Sequence, residues 1–216
     1  MKKLFTTFLL SLLLTNCGPS GSSSQLINLG AAKNAVKTYY ESGEFDRECS
    51  KIIDDAISYL DEITIIDKSV VIFDVDETAL SNYQYTKEIG FGFIPKSWNE
   101  FQQKGTAPAI KHTKRFYDYL ISKKIHVVFL TGREAEARES TQRNLIEQGY
   151  TKFDTLIIHS EMERNLSAAA FKPERRKELV KKGYEIIASI GDQSSDFTGG
   201  NTGYKILLPN YLYLIE

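Results

Sequence analysis

The stretch that most constrains this chain is VVIFDVDETALSN, residues 70–82, where a run of apolar residues stops at two aspartates one residue apart, Asp74 and Asp76. A second apolar run, in IIASIGDQSSD, stops at Asp192 and Asp196. Short, continuous apolar runs are consistent with fully buried strands. Carboxylates at the ends of buried strands are costly unless a metal or a substrate balances them. In an open α/β sheet, ligands bind at that same edge. The pattern points to an enzyme built around a cation.

The rest of the chain extends this frame. Strand-like runs fall at 69–74, 126–131, 154–158, 186–190 and 204–208, and helical patterns at 108–123, 134–148 and 172–182. Apolar strands alternating with helices predict a Rossmann-like α/β fold, a parallel sheet with helices on both faces. Two N-terminal helices are expected over 28–66, broken at Gly43, with Ile52, Ile53, Ala56, Tyr59, Leu60 and Ile63 at three-and-four spacing. Cys49 lies in that pattern and reads as a buried small hydrophobe. The first two strands are about fifty residues apart, far more than one crossover needs. A small cap insertion is therefore expected at about 80–107, carrying Phe91, Phe93, Trp98 and Phe101.

Composition narrows the partners. With 216 residues, 42% apolar and 25% charged, the chain can bury one full core. The net charge is −1, and no basic patch stands out. A polymeric nucleic acid is not an expected partner. Residues 1–16 read as an export leader: Lys2 and Lys3, then a short apolar stretch from Leu4 to Leu14. The leader ends LTNC, which resembles a bacterial lipoprotein signal with Cys17 as the lipidated residue; Asn16 departs from the small residue usual there. Residues 17–27, including GPSGSSS, would be a lipid-anchored flexible tether, and 28–216 the folded domain. The expected location is an anchored lipoprotein on the periplasmic side or in the outer membrane. The alternative is a secreted or soluble periplasmic protein. Oligomeric state is open, a homodimer being one expectation.

Two further stretches complete a constellation. In FLTGR, an apolar strand runs into Thr131, which can donate through its side chain, and Gly132, which lets main-chain N–H groups approach an anion. Lys172 lies in AAFKPERRKEL, at the start of a helix. The order Asp74/Asp76, Thr131-Gly132, Lys172, Asp192/Asp196 resembles the four motifs of the haloacid dehalogenase-like (HAD-like) phosphohydrolases. DETALSNYQY resembles the first signature of the class C bacterial acid phosphatases, with Leu80, Asn82 and Tyr85 in the matching places. GDQSSDF, followed by Lys205 to Asn210, is similar to the last motif of that group and of the plant acid phosphatases and vegetative storage proteins. The glutamine-serine-serine inside GDQSSD departs from the GDN-x-x-D common in class C enzymes and the GDQWSD common in plants, while the aspartates are intact.

The resemblance implies roles that phosphoryl-transfer chemistry also needs. Asp74 would be the nucleophile and Asp76 the general acid and base. Mg²⁺ would be held by Asp74, the main-chain carbonyl of Asp76 and Asp192, with Asp196 holding a metal-bound water. Thr131, Gly132 and Lys172 would bind the phosphoryl oxygens. Trp98 and Tyr85 are candidates for contact with the leaving group, though Trp98 also reads as the core of the cap. His112, His126 and His159 are scattered and take no role. The leading expectation is an exported, Mg²⁺-dependent acid phosphatase acting on small phosphomonoesters such as nucleoside monophosphates. A phosphotransferase of the same mechanism and a non-catalytic surface-binding lipoprotein are the alternatives.

Overall fold

The computed structural model describes residues 26–215, so the leader, Cys17 and most of the tether lie outside the described residues. Two helices open the fold, α1 (Leu29–Glu41) and α2 (Glu44–Glu62). The Asn28 side chain accepts from the backbone of Gly30 and Ala31 and so caps α1. Gly43 separates the helices in a left-handed conformation with φ 83°. Strand β1 (Ser69–Phe73) follows, then α3 (Tyr83–Glu88), α4 (Pro95–Lys104), α5 (Lys111–Ser122), β2 (His126–Leu130), α6 (Arg138–Glu147) and β3 (Thr155–Ile157). Helix α7 (Ala168–Lys181), β4 (Glu185–Gly191) and β5 (Tyr204–Leu207) complete the chain.

The five strands form one parallel sheet in the order β3-β2-β1-β4-β5. Side chains alternate across a sheet, and the core divides accordingly. Val71, Phe73, Val127 and Phe129 face a large cluster with Cys49, Ile53 and Leu60 of α2, Phe116 and Leu120 of α5, and Leu145 of α6. Val70, Ile72, Val128 and Leu130 face Phe171 and Leu179 of α7. Both faces are covered, as the apolar strands require, but the cover is unequal: α7 alone supplies the buried helical residues of the second cluster.

Helix α7 begins four residues before the expected start at 172, because the Ser167 side chain accepts from the Ala170 backbone N–H and caps the helix there. Lys172 consequently lies in the second turn rather than at the tip. Between β1 and α5, the short helices α3 and α4 lie over the carboxyl end of the sheet. Tyr85 of α3 stacks on Phe101 of α4 at 4.5 Å, and Trp98 tilts against both rings. Trp98 thus belongs to the packing of this small cap, and it also faces the cavity beneath.

Candidate active site

β1 leads directly into the site. After Phe73 the backbone N–H of Asp74 bonds the Ile190 carbonyl of β4, so the chain leaves the strand still tied to its neighbour. The turn then places Glu77 at φ 52°, a sparsely populated region for a residue with a side chain. Such strain persists only where the surroundings hold it. Here the Asn82 backbone N–H donates to Glu77 Oε1 at 2.7 Å, the Asn82 amide to Oε2 at 3.1 Å, and the Tyr213 hydroxyl also donates to Oε2.

Asp74, Asp192 and Asp196 converge, with one carboxylate oxygen from each lying within 4.8 Å of the others, all three residues buried. The Lys172 ammonium bonds Asp74 Oδ1 at 2.6 Å and also bonds Asp196. Gly191 makes the return of Asp196 feasible: a Cβ at that position would fall 2.2 Å from the Asp196 carboxylate. The Gln193 backbone N–H donates to Asp196 at 2.9 Å, and the Asn210 amide to Asp192 at 2.7 Å. Arg176, one turn after Lys172 and fully buried, donates to the carbonyls of Asp196, Thr198 and Gly200, anchoring this loop to α7.

The charges do not balance locally. Burial pushes the Asp74 carboxyl well above the ordinary carboxylate range, with Asp196 and Asp192 adding to it and Lys172 opposing. Burial and the same neighbourhood also push Asp192 up. Burial works against the Lys172 charge, but Asp74 and Asp196 outweigh it and keep the ammonium protonated. Three carboxyl groups crowd around one ammonium, and the donor set is entirely hard oxygen. That combination fits a small divalent cation such as Mg²⁺.

Asp76 stands apart. Its carboxylate faces Arg133, which donates from Nε at 2.9 Å and from Nη2 at 2.7 Å, while Asn82 donates at 2.8 Å. Burial would raise Asp76, but Arg133 and Asn82 together hold it below the usual carboxylate range. Thr131 is buried, and its hydroxyl accepts from the Arg133 backbone N–H at 3.2 Å. A Cβ on Gly132 would meet only the Ala168 methyl, at 3.8 Å, so packing does not demand glycine there. Its exposed backbone faces the cavity.

The cavity has a volume of about 670 Å³ and joins these groups to Tyr85, Phe93 and Trp98 of the cap and to the C-terminal segment at Leu212, Tyr213 and Ile215. Every candidate residue other than Cys17 therefore lines this one space. Several participants carried no role in the sequence reading. Arg133 closes the FLTGR stretch, and a cation straight after a glycine at a strand end was its available signal. Asn82 and Asn210 lay inside quoted motifs without a function. The contacts of Tyr213 and Gln193 join segments distant in the chain, so no local pattern showed them.

A family model described as HAD superfamily, subfamily IIIB (acid phosphatase) matches residues 22–216. "Acid phosphatase 1" of Solanum lycopersicum is 32% identical over 186 residues, covering 83% of this chain and 73% of that one. The "Stem 28 kDa glycoprotein" of Glycine max is 32% identical over 188 residues, covering 84% and 74%. The class C acid phosphatase of Bacillus anthracis with tungstate bound superposes with a TM-score of 0.71 at 22% identity, covering 87% of each chain, which shows a shared fold. With a family model matched over nearly the whole chain and the expected motifs meeting in one cavity, the chain belongs to the HAD superfamily, subfamily IIIB, the acid phosphatases.

Proposed function

We propose that this chain is an exported, Mg²⁺-dependent phosphatase of small phosphomonoesters, nucleoside monophosphates among them. The observation that carries the reading is the convergence of Asp74, Asp192, Asp196 and Lys172 at the carboxyl end of the sheet. A phosphate group seated there would lie against Asp74, with Lys172, the Thr131 hydroxyl and the Gly132 backbone N–H around its oxygens. Asp74 attacks phosphorus, the bond to the leaving oxygen breaks, and the phosphoryl group is carried on Asp74. Asp76 gives the departing alkoxide a proton and then takes one from the attacking water. Bound Mg²⁺, held by Asp74, the Asp76 carbonyl and Asp192, with Asp196 reaching it through water, would neutralise charge between carboxylate and phosphate.

The Arg133 pair holds Asp76 as a carboxylate, the form that accepts a proton from water. To donate, Asp76 has to take up a proton at the cost of this pairing. A purified chain lacking the leader should hydrolyse p-nitrophenyl phosphate with Mg²⁺, lose that activity after EDTA and dialysis, and regain it on re-addition. Undiminished activity after exhaustive metal removal would refute the metal dependence.

Export and anchoring are carried by the leader and Cys17, which lie outside the described residues. Among the described residues no helix is long and apolar enough to cross a membrane. Cys17→Ser should abolish incorporation of labelled fatty acid, and persistent labelling would exclude Cys17 as the lipidated residue.

A further inference from the structure

One group of polar side chains in the cavity is unused by the phosphoryl chemistry. His159 follows β3, two strands out from Asp74 in the sheet order, is 3% exposed, and lines the cavity. Neither ring nitrogen has a hydrogen-bond partner among the described residues. The ring sits edge-on to Phe171 at 4.2 Å, and its backbone N–H bonds the Arg133 carbonyl, so its place is set. Glu134 lines the cavity beside it, with Oε1 3.8 Å from His159 Nδ1, beyond hydrogen-bond reach. Its other oxygen, Oε2, is buried and accepts no hydrogen bond, the nearest cation being Arg164 Nε at 3.8 Å. In the cap, the Tyr85 hydroxyl is a third such group lining the cavity.

Buried polar groups in folded proteins are nearly always hydrogen-bonded, and each exception calls for a reason. Three exceptions around one cavity, beyond the phosphate position, share a reason if a ligand supplies the missing bonds. We propose that His159, Glu134 and Tyr85 form a polar subsite for the leaving group, and that the leaving group is polyhydroxylated, a furanose or similar sugar. The inference rests on the phosphatase reading and names a substrate class for it. A carboxylate only accepts, a neutral imidazole donates from one nitrogen and accepts at the other, and a phenol does both. Hydroxyl groups, which donate and accept, satisfy all three. An anionic leaving group would meet the Glu134 carboxylate, and an apolar one would leave the three groups unpaired. A half-turn of the imidazole about χ2 exchanges nitrogen and carbon positions, so the ring can turn either nitrogen to a ligand without disturbing its packing.

The test compares ribose 5-phosphate with tetrahydrofurfuryl phosphate, which keeps the ring and the alkyl ester but lacks the hydroxyls. Wild type should favour ribose 5-phosphate in kcat/KM, because a site that bonds hydroxyls rejects the analogue lacking them. His159→Phe, which preserves an aromatic ring against Phe171, should reduce kcat/KM for ribose 5-phosphate about tenfold or more beyond any loss on the analogue. Glu134→Gln and Tyr85→Phe should shift the ratio in the same direction, and they carry the test should His159→Phe fold poorly by circular dichroism. His159→Asn should restore part of the preference. An unchanged ratio in the variants that fold, or a wild type with no preference, overturns the subsite while leaving the phosphatase intact. Absence of turnover on both esters and on p-nitrophenyl phosphate overturns the phosphatase reading itself.

Discussion

At the sheet end of the cavity each aspartate is held by identifiable partners, whereas at the cap end aromatic rings meet one another and the Tyr85 hydroxyl goes without. Asp74 has Lys172, Asp76 has Arg133 and Asn82, Asp192 has Asn210, and Asp196 has the Gln193 backbone and Lys172. In the cap, Tyr85 stacks on Phe101 with Trp98 tilted against both, Phe93 is 70% exposed, and the Tyr85 hydroxyl lacks a hydrogen-bond partner. The first arrangement is preorganised: charges are placed before any substrate arrives, as transition-state stabilisation requires. The second is suited to receive a ligand that completes it. On the proposed reading, chemistry belongs to the aspartate end and selectivity to the cap together with His159 and Glu134.

If that division holds, substitutions at the two ends should behave differently. The largest effect belongs to Asp74→Asn, which replaces the proposed nucleophile with an isosteric amide. Turnover of every ester should fall by about a thousandfold or more, with little change in KM. A loss confined to one ester would break the division.

Arg133→Met comes next and is read as stability. It strips a buried carboxylate of its partner, and breaking such a pair costs about 3–5 kcal/mol. Urea unfolding should show that loss, and adding Asp76→Asn should recover much of it, because no charge then remains to be paired. Failure of the second change to compensate would mean that Arg133 stabilises the fold by other contacts.

Trp98→Ala probes the cap end. Base–aromatic stacking is worth about 1–3 kcal/mol. The variant should lose about ten- to a hundredfold in kcat/KM on nucleoside monophosphates and much less on small aliphatic esters. Equal losses would show that Trp98 acts only as packing for Tyr85 and Phe101.

The smallest effect lies at the opposite edge of the sheet, away from both walls. His126 at the start of β2 contacts Asp154 at 3.0 Å and the Asp67 carbonyl at 2.9 Å. The bond to Asp154 raises its pKa against a smaller effect of burial. The protonated form is favoured in the fold, so its stabilisation is full below the ordinary histidine pKa and disappears as pH rises through the raised value. His126→Gln should flatten this part of the stability–pH curve slightly and leave kcat/KM unchanged. An altered kcat/KM would show that the far edge couples to the site.

The same contrast marks what the sequence could disclose. Strands were legible because the buried parallel sheet needs unbroken apolar runs, and β1, β2 and β4 lie where those runs fall. The acidic ends were legible because Asp74, Asp76, Asp192 and Asp196 interrupt such runs abruptly. Arg133 and Asn82 were visible as residues but not as partners of Asp76, since pairing depends on how two turns meet. Tyr213 on Glu77 and the bond from the Ile215 backbone N–H to Gln193 are contacts made by the C-terminal segment, which has no periodic pattern to announce its course. His159 looked like one of three scattered histidines, and only its place at the end of β3, beside Glu134, brings it to the cavity.

The most direct test of the central claim, that Asp74 carries the phosphoryl group, is a single-turnover reaction quenched in acid within milliseconds and read by peptide mass spectrometry. A transient phosphoryl adduct on Asp74 is expected, absent in Asp74→Asn and decaying as inorganic phosphate appears. Product formation with no adduct at any time, or an adduct on His159 or another residue, would contradict it.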